Sequence, residues 1–264
     1  MKKIKKSFYK DLKKAKLRLL KLHYDSKTGH IGGNFSCIDS LMTLHHHKIT
    51  KKDKLILSKG HSAGALYVTL WTKNLLKNKD LNNFSKDGSF LPAHPSGEKI
   101  PGLLFSTGSL GHGPSISAGL ALAEKFKKTN NNIYCICSDG EWQEGSCWEF
   151  LIFAVHHKLD NLILYIDQNC LQGFGSTQEI VSFSDLESRL KSFNANVQSV
   201  NGHSPEQILK ATNKIQKNKF NIIILNTIKG KDIHFEGLLE SHYLPLSKDQ
   251  YDEASNKLKK SKQE

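Results

Sequence analysis

The chain has 264 residues and a formal net charge of +13, and 38% of its residues are hydrophobic. This length suits one large domain, and the apolar content, which includes 13 Phe and 7 Tyr, is enough for a sizeable core and excludes general disorder. There is no run of 18 apolar residues and no apolar segment behind the N-terminal lysines. We therefore expect neither a membrane span nor secretion.

The positive charge is concentrated at the two ends of the chain, in MKKIKKSFYKDLKKAK and NKLKKSKQE. No basic ribbon interleaved with aromatic residues accompanies it, so nucleic acid is disfavoured as the main partner, whereas an anionic small molecule is compatible with the charge. The five cysteines are odd in number and form no C-x-x-C pair. This pattern predicts reduced thiols and a cytoplasmic protein.

Helices and strands are predicted to alternate along the chain. Residues 6–24 repeat apolar side chains at helical spacing, and a second helix follows a Gly-rich loop. Strands are predicted at KLIL, NIYCIC, NLILYID, VQSV and NIIILNT, with helices between them. Residues 83–113 form a long loop typical of a functional segment, and the tail after IKGKD is predicted to be irregular. The pattern predicts one domain over residues 1–264, an α/β fold with a doubly wound, mostly parallel sheet and helices on both faces.

Two polar side chains follow successive predicted strands. Asp139 and Gly140 come after NIYCIC, and Asn169 comes after NLILYID. The carboxyl ends of parallel strands share one edge of the sheet, where ligands bind. Carboxylate and amide oxygens suit Mg²⁺, and Gly140 would let a phosphate approach the N-terminus of the next helix. A helix N-cap at Asp139 and a turn at Asn169 explain the same residues equally well.

The stretch from Asp139 to Asn169 resembles the thiamine-diphosphate signature, in which Asp-Gly precedes Asn by about 30 residues. Further stretches narrow the resemblance to transketolase, and within it to the N-terminal subunit of transketolases split over two chains. They are TGHIGGNFS (28–36), LSKGHSAGALY (57–67), LPAHPSGEKIPGLLFSTGSLGHG (91–113), SDGEWQEGSCWE (138–149), DQNCLQGFGST (167–177) and NTIKGKDIHF (226–235). The similarity covers roughly residues 10–245 and implies the thiamine-diphosphate-binding fold.

Carried over position by position, the resemblance implies a metal site and a diphosphate site. It makes Asp139, Asn169 and the backbone carbonyl of Leu171 the ligands of Mg²⁺. It assigns Gly140 and His61 to the diphosphate, and Asn169 counts among the cofactor-binding residues as well.

The resemblance also implies residues around the rings of the cofactor and around the substrate. Gly108 and Leu110 lie near the aminopyrimidine and thiazolium rings, and Glu144 matches a cofactor-site Glu of the family near the subunit interface. The residues implied to reach the donor sugar are the three histidines His30, His94 and His242. Imidazole titrates near neutral pH, so it can donate or accept the protons that ketol chemistry moves.

Some residues depart from the family pattern or match it weakly. Ser138 replaces the first Gly of the signature, and Asp232 replaces the second Gly of KGKG. The region 193–197 lacks the usual Gly-Trp. Lys229 or Lys231 could help to neutralise a phosphate.

The resemblance covers only the diphosphate-binding domain of a transketolase. The implied partner is therefore a C-terminal transketolase subunit, which would carry the pyrimidine-binding domain in an α₂β₂ assembly, and the implied substrates are sugar phosphates. The chain alone is expected to be inactive. The alternatives are part of a deoxyxylulose-phosphate-synthase-like or specialised ketol transferase, a non-catalytic subunit that binds a partner, and a basic nucleic-acid binder.

Overall fold

A parallel sheet forms the centre of the computed structural model, which describes residues 4–96, 99–182 and 185–261. In these residues the sheet has five strands in the order β1-β2-β3-β5-β4, and each pair of neighbours is parallel. The strands are β1 (Lys54–Leu57), β2 (Ile133–Ser138), β3 (Leu162–Gln168), β4 (Asn196–Asn201) and β5 (Asn221–Asn226). The predicted fold class is therefore confirmed.

Helices of very different lengths surround the sheet. They are α1 (Lys6–Ser26), α2 (Ile31–His47), α3 (Ala63–Thr72), α4 (Asn78–Leu81), α5 (Gly113–Phe126), α6 (Gly145–His156), α7 (Thr177–Ile180), α8 (Leu186–Ser192), α9 (Pro205–Thr212), α10 (Glu240–Tyr243) and α11 (Lys248–Lys260). Short 3₁₀ turns follow β1 at Gly60–Ser62 and β2 at Gly140–Gln143. No helix in the described part of the chain is long and apolar enough to cross a bilayer.

The two faces of the sheet pack against two separate hydrophobic clusters. On β2, Tyr134 and Ile136 belong to the cluster that contains the buried side chains of α1, α2 and α3. The alternate residues Cys135 and Cys137 belong to the cluster that contains those of α5 and α6. Side chains alternate between the faces of a strand, so a strand that is buried on both faces reads as a continuous apolar run. For this reason β2 and β3 could be predicted from the sequence.

The segment after Asp232 is more regular than predicted, because it contains α10 and α11. Ser247 caps α11: its hydroxyl accepts a hydrogen bond from Gln250 N, and the Gln250 side chain accepts one from Ser247 N. Ala254 and Leu258 are buried in the same cluster as α1. The prediction of an irregular tail was wrong because so few positions of α11 are apolar that the helical period is faint.

Candidate functional site

The predicted metal ligands lie at two neighbouring strand ends. Ser138 at the end of β2 is in register with Asp167 near the end of β3. Asp139 Oδ1 accepts a hydrogen bond from Gly140 N at 2.8 Å, and its Oδ2 accepts one from Cys170 N at 2.6 Å. The second bond ties the Asp139 carboxylate to the loop after β3, on which Asn169 and Leu171 lie.

The donor set at these strand ends fits a hard cation. It consists of a carboxylate, the amide oxygen of Asn169 and the carbonyl of Leu171, all of them oxygen ligands of the kind Mg²⁺ takes. Burial, with a contribution from the charge of Asp167, raises the pKa of Asp139 to about 6. No three His, Cys, Asp or Glu side chains converge on a metal position within the described residues, so such a site depends on the amide and carbonyl oxygens.

Four histidines converge next to these strand ends. The ring centroid of His30 lies 5.5 Å from that of His61, 5.5 Å from that of His94 and 4.8 Å from that of His242. His30 precedes α2 with a left-handed φ of 62°, and its N–H donates to the carbonyl of His242 at 2.7 Å. His61 lies in the turn after β1, His94 in the long loop and His242 in α10. The structure thus brings together the histidine predicted to bind cofactor and the three predicted to reach substrate.

The surroundings of these histidines favour neutral imidazole rings. Burial, together with His94 and Lys229, lowers the pKa of His30 to about 4. Burial and Lys229 lower the pKa of His242 to about 3, and burial and Lys59 lower that of His61 well below its usual range. A neutral imidazole carries one donor and one acceptor nitrogen, so each ring can donate one hydrogen bond and accept another.

One buried nitrogen of the cluster is free to bind a ligand. His30 Nδ1 is buried and has no hydrogen-bond partner among residues 4–96, 99–182 and 185–261. Buried polar atoms without a partner are rare, and they are expected where a ligand or water completes the bonding.

Lys229 links the histidines to the predicted metal site. Its Nζ donates to the carbonyls of Leu171 at 3.0 Å and Gln172 at 3.2 Å, and it lies 2.8 Å from His242 Nδ1. An ammonium group only donates, so His242 Nδ1 accepts and the ring proton lies on Nε2. Burial and the neighbouring Lys59 lower the pKa of Lys229 to about 8. The other lysine considered for phosphate, Lys231, instead pairs with Glu236 at 3.0 Å.

The loop predicted to contact the cofactor rings lies between two of these histidines. Gly108 has a φ of +136°, and a Cβ built on it would be 2.8 Å from His94 Cδ2. A Cβ on Gly60, next to His61, would be 2.5 Å from the carbonyl carbon of Thr107. Backbone this close to neighbouring groups requires glycine at both positions. Leu110, further along the loop, remains 37% exposed.

Two other predicted cofactor residues, Gly140 and Glu144, border this region. A Cβ on Gly140 would be 3.3 Å from the Gln172 side chain, so its backbone faces the loop after β3. Glu144 precedes α6, its side chain is exposed, and its Cβ lies 2.8 Å from the position of a Cβ on Gly111. Glu144 therefore lies against the end of the Gly108–Gly111 loop.

Three buried charged residues beneath the site were missed in the sequence. Lys59 and Asp167 form a salt bridge with both side chains fully buried, and Lys59 Nζ also donates to Gly33 O at 3.1 Å. Glu141, two residues after Asp139, is fully buried as well. The available signal was a charged residue at the end of a strongly apolar strand or within three positions after it, because such a residue has to be paired when it is buried.

Comparisons with known proteins agree with this geometry. Residues 24–263 match the family model described as "Transketolase, thiamine diphosphate binding domain". The chain is 36% identical over 253 residues to an apulose-4-phosphate transketolase subunit of Phocaeicola vulgatus, covering 91% of this chain and 90% of that protein. It is 37% identical over 244 residues to 6-deoxy-6-sulfo-D-fructose transketolase subunit SqwG of Clostridium sp., covering 88% and 89% respectively.

Solved transketolases have the same fold. The transketolase from Leishmania mexicana superposes with a TM-score of 0.89 at 25% identity, over 97% of this chain and 42% of that chain. The transketolase from Campylobacter jejuni gives a TM-score of 0.85 at 29% identity, over 95% and 43% respectively. The chain thus spans less than half the length of these transketolases and about nine-tenths of the two subunit relatives. It belongs to the transketolase family and corresponds to the thiamine-diphosphate-binding domain, as in the N-terminal subunits of split transketolases.

Proposed function

We propose that this chain is the diphosphate-binding subunit of a two-chain transketolase, which transfers a two-carbon ketol unit between sugar phosphates with thiamine diphosphate and Mg²⁺. The observation that carries the proposal is the convergence of His30, His61, His94 and His242 beside the strand ends of Asp139 and Asn169. This convergence supports the proposal, because side chains that can exchange protons lie beside oxygen atoms that can bind a cation.

In this proposal the strand ends hold the metal and the diphosphate. Asp139, Asn169 and the Leu171 carbonyl would bind Mg²⁺, and Gly140 and His61 would contact the diphosphate. A carbonyl oxygen has two lone pairs, so the bond from Lys229 leaves Leu171 able to bind a cation. When bound, thiamine diphosphate supplies the electron sink of the reaction, and the chain supplies position and proton transfer.

Three of the histidines would contact the donor sugar. His30 Nδ1, buried and without a partner in the described residues, can accept a hydrogen bond from a sugar hydroxyl or donate one to an oxygen. His242 presents its Nε2–H because Lys229 holds Nδ1. His94, whose ring centroid lies 5.5 Å from that of His30, would provide a third proton donor or acceptor. Gly108 and Leu110 would line the cofactor rings, and Glu144 would lie at the edge toward the partner.

The partner would be a second chain that carries the pyrimidine-binding domain, most simply in an α₂β₂ assembly. Two relatives of similar length are named as subunits, which supports a partner. Exposed apolar side chains beside the site support it as well: Phe174 is 87% exposed, Tyr243 is 51% exposed and Leu110 is 37% exposed. Apolar groups in such a position are typical of an interaction surface.

The experiment is calorimetric titration of thiamine diphosphate with and without Mg²⁺, on this chain alone and then mixed with its partner subunit. We expect Mg²⁺-dependent binding that tightens on mixing, and ketol transfer from a ketose phosphate in the mixture. Asp139→Ala should abolish the Mg²⁺ dependence, whereas Asp252→Ala on the exposed face of α11 should not. Binding that is unaffected by Asp139→Ala would refute the metal site. Release of CO₂ from pyruvate would instead identify a deoxyxylulose-phosphate-synthase-like enzyme.

A further inference from the structure

Glu141 is a fully buried carboxylate in the 3₁₀ turn that follows Asp139. Its Oε1 accepts hydrogen bonds from Ser138 N at 3.0 Å and Ser138 Oγ at 3.3 Å. Its Oε2 accepts one from Gly111 N at 3.1 Å and a short one from Ser58 Oγ. One side chain therefore satisfies four donors on three separate segments.

Each of these segments carries residues of the proposed site. Ser58 begins the turn that presents His61. Gly111 ends the loop that contains Gly108 and Leu110. Ser138 immediately precedes Asp139. The Glu141 carboxylate is thus the common attachment point of the diphosphate-binding turn, the ring-binding loop and the metal-binding strand end.

A carboxyl group meets the demands of this position, and an amide does not. Each of the two carboxyl oxygens receives a backbone N–H, from Ser138 on one side and from Gly111 on the other. A backbone N–H cannot reverse its direction. The NH₂ group of a glutamine would therefore face a donor in either orientation of the amide. Glu141→Gln therefore leaves one buried N–H without a hydrogen-bond acceptor, and this destabilises the folded chain.

We propose that Glu141 is a positioning residue that fixes the Gly108–Gly111 loop against the His61 turn and the Asp139 strand end, so that the cofactor-binding groups are held at the correct spacing before the cofactor arrives. The proposal rests on the proposed function for its consequence in catalysis, but the fixing of the loop is a property of the chain alone. Glu141 acts through the backbone N–H groups and the serine hydroxyls of its neighbours, which surround its buried carboxyl group.

The test compares Glu141→Gln with the wild-type chain in two measurements. Hydrogen exchange without cofactor should show faster exchange of the amides in residues 106–112, by at least tenfold, with the strands β3 and β5 unchanged. Thiamine-diphosphate titration with Mg²⁺ should show an affinity at least tenfold weaker. Glu253→Gln is the matched control, because Glu253 on α11 forms an exposed pair with His234 and does not line the cavity that contains Asp139. It should alter neither quantity.

Ser58→Ala provides a second variant in case Glu141→Gln does not fold. It removes one donor to Oε2 and retains the carboxylate and the Gly111 bond. We expect an intermediate acceleration of exchange in residues 106–112. If hydrogen exchange of the amides in residues 106–112 is unchanged in both folded variants, the positioning role is overturned. Absence of cofactor binding by the wild-type chain, alone and with partner, overturns the proposed function instead, and the exchange measurement still decides the role of Glu141.

Discussion

Lys59 and Asp167 pair with each other at the bottom of the site, and neither side chain is exposed to solvent. Lys59 Nζ also donates a hydrogen bond to the Ser36 hydroxyl, and Asp167 also accepts one from the Thr227 hydroxyl. Burial alone would raise the pKa of Asp167, but Lys59 and these hydroxyls together hold it below its usual value. The pair connects the turn after β1 with the end of β3.

Breaking this pair should destabilise the fold strongly. Lys59→Met leaves Asp167 buried without its counter-charge, and such a loss typically costs about 3–5 kcal/mol of the free energy of unfolding. Urea denaturation followed by far-UV circular dichroism measures it. As a control, Lys21→Met breaks an exposed pair with Asp25 and should cost less than about 1 kcal/mol. Equal losses in the two variants would show that the buried pair has no special role.

Replacement of Gly108 by alanine should damage the cofactor site more than the fold. The φ of +136° and the approach of His94 leave no room for a Cβ, so either the loop or His94 has to move. We expect thiamine-diphosphate affinity to fall at least tenfold, with a loss of about 1–3 kcal/mol in stability. Gly119→Ala, on α5 where a Cβ meets nothing within 4 Å, should retain affinity and be neutral or stabilising. Thiamine-diphosphate titration and urea denaturation of both variants test this prediction.

Acid should destabilise the chain in part through His23. Burial lowers the pKa of this histidine to about 4, and its Nε2 has no hydrogen-bond partner in the described residues. The unfolded chain, in which the pKa of a histidine is about 6.5, binds a proton that the folded chain does not between these two values. The free energy of unfolding therefore falls as pH drops from about 6.5 to 4, by up to about 3 kcal/mol from this group.

The measurement is urea denaturation at pH 7.5 and pH 5.0. His23→Gln should reduce the difference in stability between the two pH values by about 2 kcal/mol relative to the wild type. Ser26→Ala, which removes a hydroxyl that contacts Thr28 in the same region, should lower stability equally at both pH values. An unaltered pH difference in His23→Gln would mean that other groups carry the acid sensitivity.

The C-terminal helix α11 should contribute measurably to stability. Leu258 is 3% exposed and packs in the cluster of α1, so Leu258→Ala should cost about 2–4 kcal/mol. Lys259→Ala, at an exposed position of the same helix, should cost less than about 1 kcal/mol. Thermal denaturation of the two variants tests this. A negligible effect of Leu258→Ala would indicate that α11 is only loosely attached.

The sequence predicts the centre of the sheet better than its surroundings. The apolar runs of β2 and β3 are buried on both faces, so they are readable without knowledge of their neighbours. The same runs locate Asp139 and Asn169, because a polar residue that follows a buried strand lies at the edge of the sheet. The histidines came from the family resemblance, since nothing in their spacing along the chain indicates that His30 and His242 meet.

The burial of Glu141 could not be predicted from the local sequence pattern. It lies in SDGEWQEG, where Asp139 and Glu144 are close neighbours in sequence, and nothing in this stretch tells which acid points inward. The outcome depends on Ser58 and Gly111, which reach it only in the folded chain. Which polar group becomes buried depends on tertiary contacts, whereas an apolar strand can be predicted from its own composition.

The hydrogen bond from His30 N–H to the carbonyl of His242 also bears on how the molecule forms during synthesis. The two residues lie far apart in the sequence, so His30 is made well before His242. A nascent chain that has completed the sheet through β5 still lacks His242, and it therefore cannot close the cluster. Contacts of such long sequence separation form late, because the entropy of closing the intervening loop has to be overcome first. The histidine cluster can therefore be completed only after all five strands of the sheet have been synthesised.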